Sequence, residues 1–329
     1  MSRLIKVLSI DGGGIRGIIP AIVLNIIERT TEKPICQLFD LIAGTSTGGI
    51  LALGLTKPDP HDSTQPHYSA EQLIDIYEQE GSTIFARSVW HKIHSGWNLV
   101  DEKYPASGIE GVLKDYFKDA LLSQALTELV VPSYEIEKRV CFFFGRSKAR
   151  ANPTANDFLM RQVARSTSAA PTYFEPCWIA GGEEKPYWAL IDGGVFANNP
   201  AMCALAEAMV IYGRDNDFLV VSLGTGQLTR RLDYEEAKDW GLAGWATNII
   251  NIIFDGVQDT VDYQLKQLLL VTDGPTRRYY RFQVELDIGN DDMDDASRTN
   301  LDALQRKADE MILAESEALG NLCAQLRRE

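Results

Sequence analysis

The chain has 329 residues, 45% hydrophobic and 24% charged, with 32 Lys and Arg against 46 Asp and Glu, a formal net charge of −14. This balance excludes disorder and collagen-like repeats, and it argues against a general binder of nucleic acid or anionic membrane, which needs clustered cations to neutralise phosphates. Five scattered cysteines (Cys36, Cys141, Cys177, Cys203, Cys323) form no C-x-x-C pair and no Cys/His cluster at zinc-ligand spacing, so they read as buried thiols and no metal is expected.

Met1-Ser2-Arg3 leads straight into a strand-like Leu4–Ile10 without a small-residue cleavage site, so no signal peptide is expected. The longest apolar run, Ile18 to Ile27, contains Pro20 and Asn25 and falls short of the ~18 uninterrupted residues of a membrane span. A soluble, cytoplasmic protein is the simplest expectation. After the first strand come a glycine loop, an apolar helix from Pro20 to about Arg29, a strand at Phe39–Ala43, a second glycine loop and a helix at Ile50–Leu55. Neither helix has a polar face, which suits layers buried inside an α/β sandwich.

The proline-rich Lys57–His67 reads as a surface loop, Ala70–Gln79 and Ile109–Phe117 as helices, and the aromatic stretch Ile84–Tyr104 as a candidate lid. Strands are predicted at Val130–Ile136, Arg139–Phe144, Tyr187–Ile191 and Phe218–Leu223, helices at Phe158–Ser166 and Ala201–Tyr212; the alternation implies a mainly parallel sheet. Trp245–Leu268 and the tail from Leu301 to Leu326 carry apolar residues at helical spacing and read as packing helices. The Asp291–Asp295 stretch lacks the EF-hand spacing and glycine and reads as a solvated loop.

Gly44-Thr45-Ser46-Thr47-Gly48 lies between a strand and an apolar helix, the setting of a nucleophile elbow, where small flanking residues allow the sharp turn that presents a serine hydroxyl. The alternative is a tight structural turn with a capping serine. A serine nucleophile needs a base, yet all four histidines (His61, His67, His91, His94) lie between Ser46 and residue 95, so none follows an acid late in the chain. The better base is Asp192, at the end of Ala189-Leu190-Ile191 and before Gly193-Gly194, placed on the rim of Ser46 if the sheet is parallel there. An Asp-Gly turn is the plainer reading, and Asp11 is a competing carboxylate.

Asp11-Gly12-Gly13-Gly14-Ile15-Arg16-Gly17 satisfies the G-x-G-x-x-G of a dinucleotide site, but Asp40 precedes the second strand instead of ending it, so the confirming acid is misplaced. The other reading is an oxyanion hole built from backbone N–H groups of the glycine loop at a helix N-terminus. Arg16 would lock that loop or meet an anionic group, unless it is simply exposed.

Taken together, these blocks resemble the patatin-like phospholipases. Asp11–Gly17, Gly44–Gly49, Ala169-Ala170-Pro171-Thr172-Tyr173-Phe174, Asp192-Gly193-Gly194 with Asn198-Asn199-Pro200, and Ser222-Leu223-Gly224-Thr225-Gly226 occur in the family's order. The resemblance implies a three-layer α/β/α sandwich with a mainly parallel central sheet, forming one domain over residues 1–329. Its motif core spans about residues 4–226, with a helical part at about 240–329 packed on it. It implies a Ser46–Asp192 dyad without catalytic histidine, an elbow flanked by Gly44 and Gly48, an oxyanion hole at Gly12, Gly13, Gly14 and Arg16, and no cofactor. The expected activity is hydrolysis of fatty-acyl esters of phospholipids through an acyl-enzyme, with no nucleic-acid partner and with an activating partner or small signal left open.

Trp90, Trp97, Trp240 and Trp245, with Phe85, Leu242 and Ile249, are candidates for transient docking at the inner face of a membrane or for lining an acyl channel, with core packing as the alternative. Two rival functions stand beside the hydrolase: a non-catalytic lipid-binding, storage or interaction protein of the same fold, and a dinucleotide-binding oxidoreductase.

Overall fold

The computed structural model describes residues 3–85, 104–181, 186–229, 231–269, 276–286 and 292–328. The strands are β1 (Leu4–Ile10), β2 (Leu41–Gly44), β3 (Glu128–Glu135), β4 (Val140–Gly145), β5 (Cys177–Ala180), β6 (Tyr187–Asp192), β7 (Asp217–Leu223), β8 (Gln227–Leu228), β9 (Tyr279–Phe282) and β10 (Glu285–Leu286). Eight of them form one sheet in the order β5-β6-β3-β2-β1-β7-β9, with β4 added on β3; β8 and β10 pair separately.

Strands β3, β2, β1, β7 and β9 run parallel. Their residues alternate between two apolar layers because both faces are covered. Ile5, Val7, Phe218, Val220 and Tyr279 pack on the helix Ala201–Tyr212 and the second half of the helix Leu242–Leu268. On the other face Leu8, Ile10, Val221 and Tyr280 join a larger core with the helices Ile18–Thr31, Thr47–Thr56, Ala70–Glu78 and Ala106–Phe117 and the C-terminal pair Arg298–Ala314 and Ser316–Leu326. This is the expected α/β sandwich with a mainly parallel sheet. Among the described residues no helix is long and apolar enough to cross a membrane.

Four strands escape the sequence patterns, the two-residue β8 and β10 and, in the main sheet, β5 and β9. β5 has only four residues, and β9 contains Arg281, so neither presents a long apolar run. The chain beyond Leu228 therefore adds an edge strand to the sheet as well as helices. The thiols of Cys36, Cys177 and Cys323 are buried as expected, but Cys141 is exposed, because the start of β4 faces solvent, and Cys203 on the helix Ala201–Tyr212 is half-buried.

One departure from the parallel pattern sets up the site. β3 pairs with β2 only through Val130, opposite Ala43, and from Ser133 onward the same edge of β3 is taken by β6, which runs antiparallel and ends with Asp192 opposite Ser133. β2 and β6 thus approach head to head along β3. Pro132, which cannot donate to a ladder, sits in the gap between them.

Candidate active site

Ser46 follows β2 and precedes the helix Thr47–Thr56, with φ 55° and ψ −123°. A non-glycine residue here is strained, and Ser46, half-buried, lines the cavity at the head of the helix. The turn closes because its neighbours have no side chains. A Cβ on Gly44 would lie 2.0 Å from the Gly48 carbonyl oxygen, and one on Gly48 would lie 2.2 Å from that of Ile10. Gly48→Ala is expected to cost more than about 3 kcal/mol, since the backbone of Ile10 and Asp11 must move; it is read as loss of soluble folded protein or of the cooperative melt.

The elbow is anchored from the neighbouring strand. The Ser46 N–H donates to Thr167 Oγ1 (3.0 Å), and that hydroxyl donates to the Pro132 carbonyl (2.6 Å), in the gap between β2 and β6. Thr45 Oγ1 donates to the Ala197 carbonyl at 2.6 Å. Thr167 was not singled out from the sequence, although it lies two residues before Ala169-Ala170-Pro171; a buried threonine beside a motif is a weak signal. Thr167→Val keeps the shape but leaves a donor and an acceptor unpaired. About 2 kcal/mol of stability and roughly tenfold in kcat with little change in KM are the expected losses, checked by thermal melts and soluble-ester kinetics.

Asp192 is 1% exposed and lines the same cavity as Ser46. Its N–H donates to the Ala169 carbonyl at 3.0 Å, and its Oδ1 accepts from the Gly194 N–H at 2.7 Å. Burial pushes its pKa up to about 7; the Gly194 N–H and the facing Ser46 hydroxyl pull the other way without cancelling it. The two residues meet because β6 arrives antiparallel to β3. The sequence placed them on one rim by assuming a parallel strand, so the neighbourhood was right and the reason was not.

Asp11, the competing carboxylate, is fully buried but bound elsewhere. Its Oδ2 pairs with Arg281 Nη2 at 2.7 Å, and Arg281 also donates to Ser222 Oγ at 2.8 Å. Burial raises the Asp11 pKa to about 6 against the pull of Arg281. This pair ties the root of the glycine loop to β7 and β9.

In the glycine loop, Gly14–Gly17 form a 3-10 turn that runs into the helix Ile18–Thr31. The Gly12 N–H is taken by the Asn198 carbonyl at 3.0 Å, so it is not available to a ligand. Gly13 and Gly14 line the cavity beside Ser46. Arg16 is buried, not exposed, and its Nε donates to the Gly13 carbonyl at 3.3 Å, bracing the loop. Gly14, at φ 60°, passes so close to Met293 that a Cβ would sit 2.1 Å from its carbonyl oxygen. Asn198, Thr225 and Met293 thus occupy the space around Gly12, Gly13 and Gly14, and the G-x-G-x-x-G spacing serves packing instead of a pyrophosphate.

A model of the patatin-like phospholipase family matches residues 8–205, well over half of the chain. The chain belongs to the patatin-like phospholipase family. It is 32% identical over 340 residues to patatin-like protein 4 of Arabidopsis thaliana, covering 94% of this chain and 84% of that one. Patatin-like protein 2 of the same plant is 33% identical over 345 residues, covering 94% and 83%. A potato (Solanum tuberosum) relative named probable inactive patatin-3-Kuras 1 is 30% identical over 338 residues, covering 95% and 87%. Membership supports lipid acyl hydrolysis in general.

That site opens into a cavity of about 60 Å³ walled by Ile50, Ile84, Phe85, Phe174, Ile250 and Phe254 beside the two polar residues. The volume holds a few water molecules or the start of an acyl chain, well below the ~300 Å³ or more of a pocket enclosing a whole ligand. The acidic stretch expected at Asp291–Asp295 to be a solvated loop is partly packed in its described residues: Met293 is buried, lines the cavity and accepts the Ile15 N–H at 2.9 Å, while Asp294 accepts from the Tyr104 hydroxyl at 2.6 Å. Its acids read as solvated, yet its backbone closes the glycine loop.

Of the expected lid, Trp90, Trp97, His91 and His94 lie outside the described residues. His67 pairs with Asp59 in the proline-rich loop at 2.9 Å, away from the cavity. Among the described residues no group of three or more His, Cys, Asp or Glu is placed to hold a metal.

Proposed function

We propose that this patatin-like chain hydrolyses fatty-acyl esters of phospholipids, with Ser46 as nucleophile and Asp192 as its base. The observation that carries the reading is the pairing of a strained serine with a buried carboxylate whose pKa is raised to about 7, in one mainly apolar cavity.

Asp192 takes the Ser46 proton as Oγ bonds to the ester carbonyl carbon. The carbonyl oxygen becomes an oxyanion, held by the Gly13 and Gly14 N–H groups. Collapse expels the lysolipid alkoxide, which receives the proton from Asp192 and leaves an acyl-enzyme. Water then gives a proton to Asp192 and attacks, and the returning proton restores Ser46 as the fatty acid departs. The chain's own residues close this cycle without a cofactor.

The test is release of acid from p-nitrophenyl butyrate and from mixed phospholipid vesicles by wild type, Ser46→Ala and Asp192→Asn side by side. Turnover by wild type that both variants lose supports the dyad. Folded wild type that binds vesicles and hydrolyses neither substrate would favour the non-catalytic reading.

A further inference from the structure

The helix Leu242–Leu268 has 27 residues and spans about 40 Å, longer than packing on the sheet requires. Its second half is anchored in the core by Val261 and Leu265, with Asp262 accepting the Tyr279 hydroxyl at 2.9 Å. Its first half extends past the sheet to the catalytic cavity, where Ile250 and Phe254, four residues apart, form part of the wall. Phe254 also covers Gly194, whose N–H holds Asp192.

The opposite face of that first half is apolar and uncovered. Trp245, Ile249, Ile252 and Ile253 fall on one stripe at 100° per residue and are 45%, 39%, 36% and 39% exposed. The Trp240 ring packs edge-on against Trp245 at 5.4 Å and extends the patch. From Leu242 to Gln258 the helix carries one charged residue, Asp255, which is half-buried, and no Lys or Arg. An amphipathic helix that gains from anionic lipid carries cations along its polar flanks; this one has none there, and the chain as a whole is acidic.

We propose that this stripe docks on the surface of a zwitterionic phospholipid bilayer, with Trp245 at the headgroup level and Ile249, Ile252 and Ile253 among the upper acyl carbons. The proposal rests on the acyl-hydrolase reading, and two features single out a bilayer over another protein. The helix that shows the stripe also walls the cavity holding Ser46, so docking brings the cavity to the lipid source. The cavity of about 60 Å³ beside Ser46 has room for the start of an acyl chain, which leaves the rest of the lipid in the apolar medium it came from. One face of the helix then walls the cavity that holds Ser46 and Asp192, and the other meets the bilayer from which the acyl chain enters.

The test uses Ile252→Asp combined with Ile253→Asp, neither of which lines the cavity. In the Ser46→Ala background, co-flotation with phosphatidylcholine vesicles is expected to fall by about tenfold or more and to be insensitive to salt before the change. With Ser46 intact, vesicle hydrolysis falls by the same factor, while p-nitrophenyl butyrate hydrolysis stays within about twofold, which also shows that the variant is folded. Equal flotation and equal vesicle hydrolysis by variant and parent would overturn the proposal. So would flotation that requires phosphatidylglycerol and is abolished by salt, or a dimer in size-exclusion chromatography that the substitutions split without changing flotation. Failure of the hydrolase reading is distinguishable, because it shows as no turnover of either substrate by wild type while flotation of the Ser46→Ala protein still reports the surface.

Discussion

Ser46→Ala is expected to lower kcat for soluble esters by at least about 10³-fold while leaving the protein folded. The hydroxyl is the only group the scheme uses to form a covalent bond, and alanine adopts the same backbone without a new clash. The strain at φ 55° belongs to the backbone, so alanine does not relieve it. Glycine does. Ser46→Gly should be equally inactive yet more stable than Ser46→Ala by about 1 kcal/mol, a rise of one to two degrees in a chain of this size. Calorimetry on the two inactive variants measures this directly. Equal melting temperatures would show that the turn holds no strain at that residue, and residual hydrolysis in both would remove Ser46 from the mechanism.

Asp192→Asn is expected to be just as inactive and, in one pH range, more stable than wild type. The folded carboxyl titrates near 7 because it is buried, whereas in the unfolded chain an Asp titrates at about 3.9. Between those values the folded state holds a proton that the unfolded state has lost. Stability from this group is therefore fully present below about pH 4 and declines as pH rises through about 7, where the buried carboxylate becomes charged. Asparagine keeps an acceptor for the Gly194 N–H but never ionises. The melting temperature of the variant minus that of wild type should rise between pH 5 and pH 8 by about several degrees.

Activity has the opposite slope. Only the ionised carboxylate can take the Ser46 proton, so kcat/KM of wild type on a soluble ester should climb with pH and level off above about 7. The same group is thus expected to lower stability and raise activity over one pH range. A flat activity profile from pH 5 to 8, or a melting difference that does not change with pH, would show that Asp192 is not the titrating base.

The two glycine turns were legible because their chemistry is local. Gly44 and Gly48 crowd each other within a five-residue stretch, and the apolar runs on either side announce a strand entering and a helix leaving. The absence of histidine late in the chain was equally readable and pointed to a carboxylate base. Helix boundaries came within three residues at Ala201–Tyr212 and Leu242–Leu268, while the apolar tail from Leu301 to Leu326 did not reveal its break at Glu315. What failed was long-range. Met293 sits in a stretch so acidic that it read as solvated, while its backbone closes the glycine loop from the far end of the chain. Arg281 lies on a strand without an apolar pattern, yet it binds Asp11 at the root of that loop.

By itself the sequence determined the layered α/β architecture and the tight glycine turn at Ser46, because each depends on residues adjacent in the chain and on an apolar period that needs no partner to be read; it offered Asp192 only as an acid at a strand end. Tertiary structure decided three things no local pattern contains. β6 enters antiparallel and meets β2 head to head along β3, so Asp192 faces Ser46. Thr167 bridges the gap between them. The pKa of Asp192 rises because the surrounding chain excludes water from it. Register and desolvation are properties of the assembled sheet: each is set by backbone partners and packed side chains far away in sequence, and neither exists until those segments have met.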